Sequence, residues 1–256
     1  MDELARFFAM ERSLLARTST RSETIDAGVV YMDEEHPERY YSSFLLADDG
    51  MSDVSAEGLA GSAERVLGGT DARHRMVVIR DPAVAERLAP RFATLGYRAS
   101  WSVVMSHRHA PDRAGDVAVR EVPFAKVRPL IREMYLEDPD VPDEGADGFT
   151  EQQGKRERTV GARYYVGSVE RQLAGVCELD VDGHDAQVEN VGTLVRFRGR
   201  GVARSVVLRA VDAARASGAD RVFIVADEDD WPKALYARLG FGTIGRTCDF
   251  LRAPEN

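Results

Sequence analysis

The chain has 256 residues, of which 44% are hydrophobic and 30% charged, enough for one or two globular domains and unlike the composition of a disordered chain. No apolar run approaches the roughly 18 residues that span a bilayer, and a net charge of −9 argues against nucleic acid as a partner. Two cysteines, Cys177 and Cys248, are too few for a disulfide framework or a zinc cluster, so no metal is expected and a reducing, cytoplasmic location fits.

Leu4, Phe7, Phe8, Glu11, Leu14 and Leu15 follow the spacing of one helical face, which predicts an amphipathic packing helix. Asp2, Glu3 and Glu11 interrupt both a secretory apolar core and an acid-poor transit pattern, so no targeting segment is expected. Next come a predicted strand from Tyr40 to Ala47, a helix from Ser55 to Leu67, a strand from Met76 to Arg80, and a helix opened by Asp81-Pro82.

In the second half the reading is a strand over Asp116–Val122 and a helix over Phe124–Leu136. An acidic stretch from Glu137 to Asp147 then links to another helix. Three β-rich runs follow, Ala162–Val169, Leu173–Val181 and Ala186–Val195, as an antiparallel meander. A glycine-arginine turn leads into a helix over Val202–Ala216, a buried strand over Arg221–Ala226, a helix capped by Asp230 and running to Leu239, and a last strand over Phe241–Arg252. The helix end Phe92-Ala93-Thr94-Leu95-Gly96-Tyr97 matches Tyr236-Ala237-Arg238-Leu239-Gly240-Phe241 position by position. With the shared element order, this predicts two related halves, residues 1–115 and 116–256.

The turn Arg196-Phe197-Arg198-Gly199-Arg200-Gly201-Val202-Ala203-Arg204 carries four arginines and no acid. Its glycines let backbone approach a ligand, and the free amides at the start of the next helix suit a pyrophosphate. A dinucleotide-binding loop is the poorer match, because it would follow an early strand of a parallel sheet and this one follows a meander.

Arg198-Gly199-Arg200-Gly201-Val202-Ala203 resembles the Q/R-x-x-G-x-G/A signature of the GNAT superfamily of acetyl-CoA-dependent N-acetyltransferases, and Ala234–Phe241 resembles its second signature. The resemblance spans about residues 116–252. It implies an α/β (α+β) fold, a mixed and mostly antiparallel sheet flanked by helices, preceded by a degenerate copy. Acetyl-CoA is then the expected cosubstrate. Its pyrophosphate would lie on the amides from Arg200 to Arg204, flanked by Arg198 and Arg200, with Gly199, Gly201, Val202 and Ala203 shaping the turn and Asp230 nearby. The strand Thr193-Leu194-Val195 would pair with the pantetheine arm, although family members often carry proline where this chain has Val195.

Acetyl transfer needs a neutral amine, a polarised thioester carbonyl and a proton for the thiolate. Tyr236 matches the family tyrosine that donates that proton, and the matching residue of the first half, Phe92, cannot. No glycine-arginine loop follows Tyr40–Ala47, so one active half is expected. Glu189 is the candidate base, with Asn190 facing the other way by strand alternation. Glu178 is the reserve, His184 is expected in solvent, and Cys177 has no adjacent histidine to make it a nucleophile. The expected acceptor is a small-molecule or peptide amine, cationic if the acidic stretch faces it. Two other readings stand beside the enzyme: a non-catalytic acyl-CoA-binding or sensing protein, and an assembly factor with an exposed apolar patch.

Overall fold

A computed structural model of the chain describes residues 2–47, 53–139, 141 and 145–254. The described residues form two compact units whose boundaries cross the chain more than once. One holds residues 1–14, 104–226 and 230–244, the other residues 15–103, 227–229 and 245–256. Both units are discontinuous in the chain.

In the first unit, helix α1 (Glu3–Thr18) starts the chain and β5 (Arg98–His107) enters from the other unit. Then come β6 (Val119–Val122), α4 (Phe124–Leu136), α5 (Ala146–Val160), β7 (Arg163–Val169), β8 (Gln172–Asp182), β9 (Asp185–Thr193), α6 (Val202–Ala216), β10 (Arg221–Asp227), α7 (Pro232–Arg238) and β11 (Phe241–Arg252). Strands β6 to β9 are joined antiparallel in sequence order, and β10 then lies parallel to β9. Alternation sends neighbouring residues to opposite faces. Tyr164 packs on Phe124 of α4 and donates its hydroxyl to Gln153 O of α5 at 2.6 Å, whereas Tyr165 lies beneath Arg209 of α6. The core joins Phe7, Met10 and Leu14 of α1 with Val127, Leu130 and Ile131 of α4 and Phe223 of β10. The α1 spacing therefore does what the sequence predicts.

The second unit holds β1 (Arg21–Ile25), β2 (Gly28–Met32), β3 (Phe44–Ala47), α2 (Ala56–Leu67), β4 (Arg75–Ile79) and α3 (Pro82–Thr94). Its sheet runs β1-β2-β3-β4, with residues 248–252 of β11 antiparallel to β4. The β1–β2 hairpin turns on Asp26-Ala27, and the sequence reading missed it. The predicted strand from Tyr40 is shorter, because residues 40–42 form a 3₁₀ turn before Phe44. Both helices start on side-chain caps: Ser55 accepts from Gly58 N–H, and Asp81, ahead of Pro82, accepts from Ala83 and Val84. Strand senses repeat between the units. β1-β2-β3 is antiparallel and β4 returns parallel to β3 after α2, just as β7-β8-β9 is antiparallel and β10 returns parallel to β9 after α6.

Candidate active site

Strands β9 and β10 pair only from Asp185/Arg221 to Val188/Ile224, although β9 runs on to Thr193 and β10 to Asp227. Beyond Val188 they part, and the edge of β9 is left without its parallel neighbour. A bulge at the same place shifts the β8–β9 register, so that Val176 faces Gly192 while Glu178 faces Glu189. Asn190 supplies the bulge with φ 50°, a conformation asparagine tolerates better than most residues.

At the end of β9 the chain makes a 3₁₀ turn over Val195–Phe197 and enters α6 through Gly201. Gly201 has φ 76°, and a Cβ there would stand 2.7 Å from Asp116 Oδ1, so the position requires glycine. With no side chain to cap it, the helix presents its first amides and the positive end of its dipole.

The arginines of this turn are mostly spoken for. Arg196 pairs with Glu133 at 2.5 Å, Arg200 with Glu170 at 2.7 Å, and Arg204, 4% exposed, with Asp112 at 2.5 Å. Among the described residues no carboxylate pairs with Arg198, whose Nε points at Thr193 O 3.4 Å away. The strong positive potential expected from four arginines is therefore largely cancelled, and the backbone amides are the main anion-binding feature.

A cavity of about 410 Å³ lies along Asn190, Val191, Gly192 and Thr193, with Ile131, Met134 and Tyr135 of α4 on another wall. Arg198, Gln153, Glu137 and Asp138 also line it. The Thr193 hydroxyl is buried without a hydrogen-bond partner. Leu194 is fully buried and its amide is taken by Ala174 O, while Val195 is 52% exposed in the turn and donates its N–H to Glu137 Oε2 at 2.8 Å. Of the three residues expected to meet the pantetheine arm, only Thr193 lies on the strand and on the cavity.

Beneath the same strands sits a buried ionic cluster. Period-two alternation puts Glu178 and Asp180 on the α5 face of β8, where both fully buried carboxylates bond Arg156, with Glu189 Oε2 at 3.7 Å from that guanidinium. Burial and the Glu178 charge hold the Asp180 carboxyl above the usual range despite Arg156. Gln187 donates to Glu189, and Asn190 Nδ2 donates to Glu178 Oε2 at 2.9 Å. The bulge therefore turns Asn190 toward the same face as Glu189, against the expected alternation. Glu189, partly exposed, does not line the cavity, and Asn190 does.

Tyr236 is buried on α7. Burial first, then the nearby Cys177 and Asp230, raises its hydroxyl above the ordinary phenol range, so it stays protonated. Cys177 is fully buried, with its thiol raised by burial and directed to Val206 O at 3.3 Å, which rules against a thiolate nucleophile. His184 is exposed, as expected. Asp230 does not cap α7: the helix begins at Pro232 with Trp231 as cap residue, and Asp230 instead accepts the Trp231 N–H at 2.7 Å. Pro232 at the first helical position sets that start.

A mostly antiparallel sheet, followed by a glycine-entered helix and a strand returning parallel to β9, is the arrangement the sequence resemblance implies; the bulge in β9 is an addition to it. Residues 128–241 match the model of the acetyltransferase (GNAT) family. That stretch is a GNAT-type domain. Solved structures extend the likeness beyond it. A functionally unknown conserved protein from Staphylococcus epidermidis aligns with 92% of this chain and 94% of its own at 16% identity and a TM-score of 0.73. A GCN5-related N-acetyltransferase from Kribbella flavida aligns with 100% of this chain and 97% of its own at 15% identity and a TM-score of 0.67. At such identity they show the fold, and they show it over both units. Among curated proteins none matches. Among the described residues no helix is long and apolar enough to cross a membrane.

Proposed function

We propose that the protein is an N-acyltransferase that moves an acetyl group from acetyl-CoA to an amine by direct attack in a ternary complex, in a reducing compartment such as the cytoplasm. The observation that carries the reading is the cavity along the unpaired end of β9, beside the uncapped, glycine-entered start of α6. These residues fit acetyl-CoA: the first amides of α6 suit its pyrophosphate, and the orphaned Thr193 hydroxyl and the free edge of β9 suit an amide-bearing arm. Bound there, acetyl-CoA supplies an activated thioester.

The chain's own part is to orient, polarise and move protons. Tyr236, kept protonated by burial, is assigned the proton donated to the departing thiolate on the strength of the signature it belongs to; it does not line the cavity. Glu189 is the partly exposed member of the acidic cluster and would take the amine proton through water, since it does not line the cavity. Glu137 and Asp138 on the cavity wall favour a cationic amine. Asp147, further along the acidic stretch, is paired with Arg132 at 2.6 Å, and Asp140, Asp143 and Glu144 lie outside the described residues.

The second unit reads as a degenerate copy. Its strand senses repeat those of the first, but Phe92 stands where the other carries Tyr236, and Ser55 caps α2 where Gly201 leaves α6 open. Thiol release from acetyl-CoA against a panel of amines tests the activity. Calorimetry tests the site: one acetyl-CoA per chain is expected, with affinity lost in Gly201→Glu. Two equivalent sites, or an unaffected Gly201→Glu, would refute the single-site reading, and binding without turnover would favour an acyl-CoA sensor.

A further inference from the structure

Asn190 combines three features that strand geometry alone would not bring together. Its left-handed backbone at φ 50° turns its side chain out of the alternation of β9. Its amide nitrogen is committed to Glu178 Oε2 at 2.9 Å, and the other oxygen of Glu178 accepts from Arg156. Finally, it lines the cavity between α4 and the open end of β9. A carboxylate that accepts from both partners settles the orientation of the amide, since only an –NH₂ group can donate to it. The carbonyl oxygen is the polar atom left for the cavity.

We propose that Asn190 is the acceptor-binding residue of this site, its Oδ1 accepting a hydrogen bond from an N–H of the attacking amine. The inference rests on the acyl-transfer reading above and deepens it. A neutral primary amine has two N–H donors and one lone pair, so fixing one N–H restricts where the lone pair points. The cluster of Glu178, Asp180 and Arg156 then serves as a mount for the amide, with Glu178 held by Arg156 on one oxygen and by Asn190 on the other.

The test uses the full chain and two variants. Asn190→Gly keeps the positive φ while deleting the side chain, and Asn190→Asp replaces the donor facing Glu178 with a fourth carboxylate. Thiol release is measured with 1,4-diaminobutane, phenethylamine and lysine amide, and the dissociation constants of the same amines are measured in the presence of CoA. In Asn190→Gly the acceptor KM and amine dissociation constant are expected to rise about tenfold, the loss of one hydrogen bond, with acetyl-CoA affinity unchanged and the melting temperature lowered by the lost bond to Glu178. Asn190→Asp is expected to weaken amine binding as well and to shift the acidic limb of the pH–rate profile. Unchanged amine binding in Asn190→Gly overturns the assignment, as does a parallel loss of acetyl-CoA affinity or binding of none of the amines to the natural chain. Asn190-dependent amine binding without thiol release would refute acyl transfer and leave Asn190 as the amine site.

Discussion

The methyl end of Met134 fills the space that a side chain on Gly192 would need: a Cβ there would stand 1.6 Å from Met134 Cε. Both residues line the cavity. Because the obstacle is the tip of a flexible thioether, Gly192→Ala is expected to cost no more than about 1 kcal/mol of stability while pushing Met134 into the cavity. Met134→Ala acts in the opposite sense and opens it. A kinetic series of primary amines of increasing bulk should show kcat/KM falling more steeply with size in Gly192→Ala and less steeply in Met134→Ala. An identical size dependence in all three proteins would show that this wall does not meet the acceptor.

Tyr236→Phe removes the hydroxyl and keeps the ring packing, so kcat is expected to fall at least about tenfold with acetyl-CoA affinity little changed. Since burial keeps the phenol above its ordinary range, Tyr236 should contribute no alkaline limb to the pH–rate profile below about pH 10. The converse change, Phe92→Tyr, should leave the rate alone. It should still lower stability by about 1–3 kcal/mol, because Phe92 is fully buried and stacked on Phe250 at 4.2 Å, with no room for a solvated hydroxyl. A rate loss in Phe92→Tyr exceeding that explained by unfolding would argue that the second unit takes part in catalysis.

Asp180 should give the protein a specific pH signature. Its folded pKa is raised, by burial and by Glu178, so the proton binds more tightly in the folded state than in the unfolded one. The stability it contributes is fully present below the ordinary aspartate value of about 4 and is lost as pH rises through the raised value. Asp180→Asn abolishes that loss and leaves Arg156 with Glu178 and Glu189. The melting temperature of Asp180→Asn relative to the natural chain is expected to climb as pH goes from about 4 toward neutrality. A difference independent of pH would mean that Asp180 is ionised in both states throughout.

Asp138 tests the charge of the acceptor. If cations are drawn by the cavity wall, Asp138→Asn should lower acceptor kcat/KM roughly threefold for a diamine and leave an uncharged aromatic amine unaffected. The effect should shrink between 0.01 and 0.1 M salt, as the Debye length falls from about 30 to about 10 Å. Saturating acetyl-CoA is needed, because salt also weakens phosphate binding. Equal behaviour of the two amines would leave Asp138 a solvated linker residue.

Several elements were legible from local pattern. The predicted spans Phe124–Leu136, Val202–Ala216 and Phe241–Arg252 coincide with α4, α6 and β11, because helical and strand periodicities are properties of neighbouring residues. The glycine turn and the tyrosine signature were readable for the same reason. The β1–β2 hairpin was missed, although Arg21–Ile25 and Gly28–Met32 flank a two-residue turn, because Asp26-Ala27 lacks the glycine-second signal of a tight turn. What tertiary structure alone decided are the pairings between residues far apart in the chain. Arg204 meets Asp112 and Arg200 meets Glu170, so a run of arginines that reads as strongly positive in sequence is mostly neutralised in space. Asn190 reaches Glu178 only because a bulge slips one residue of register between β8 and β9. One residue of slip reverses the face a side chain takes, and the energy that holds it comes from a cluster assembled from α5, β8 and β9, which no stretch of sequence contains by itself.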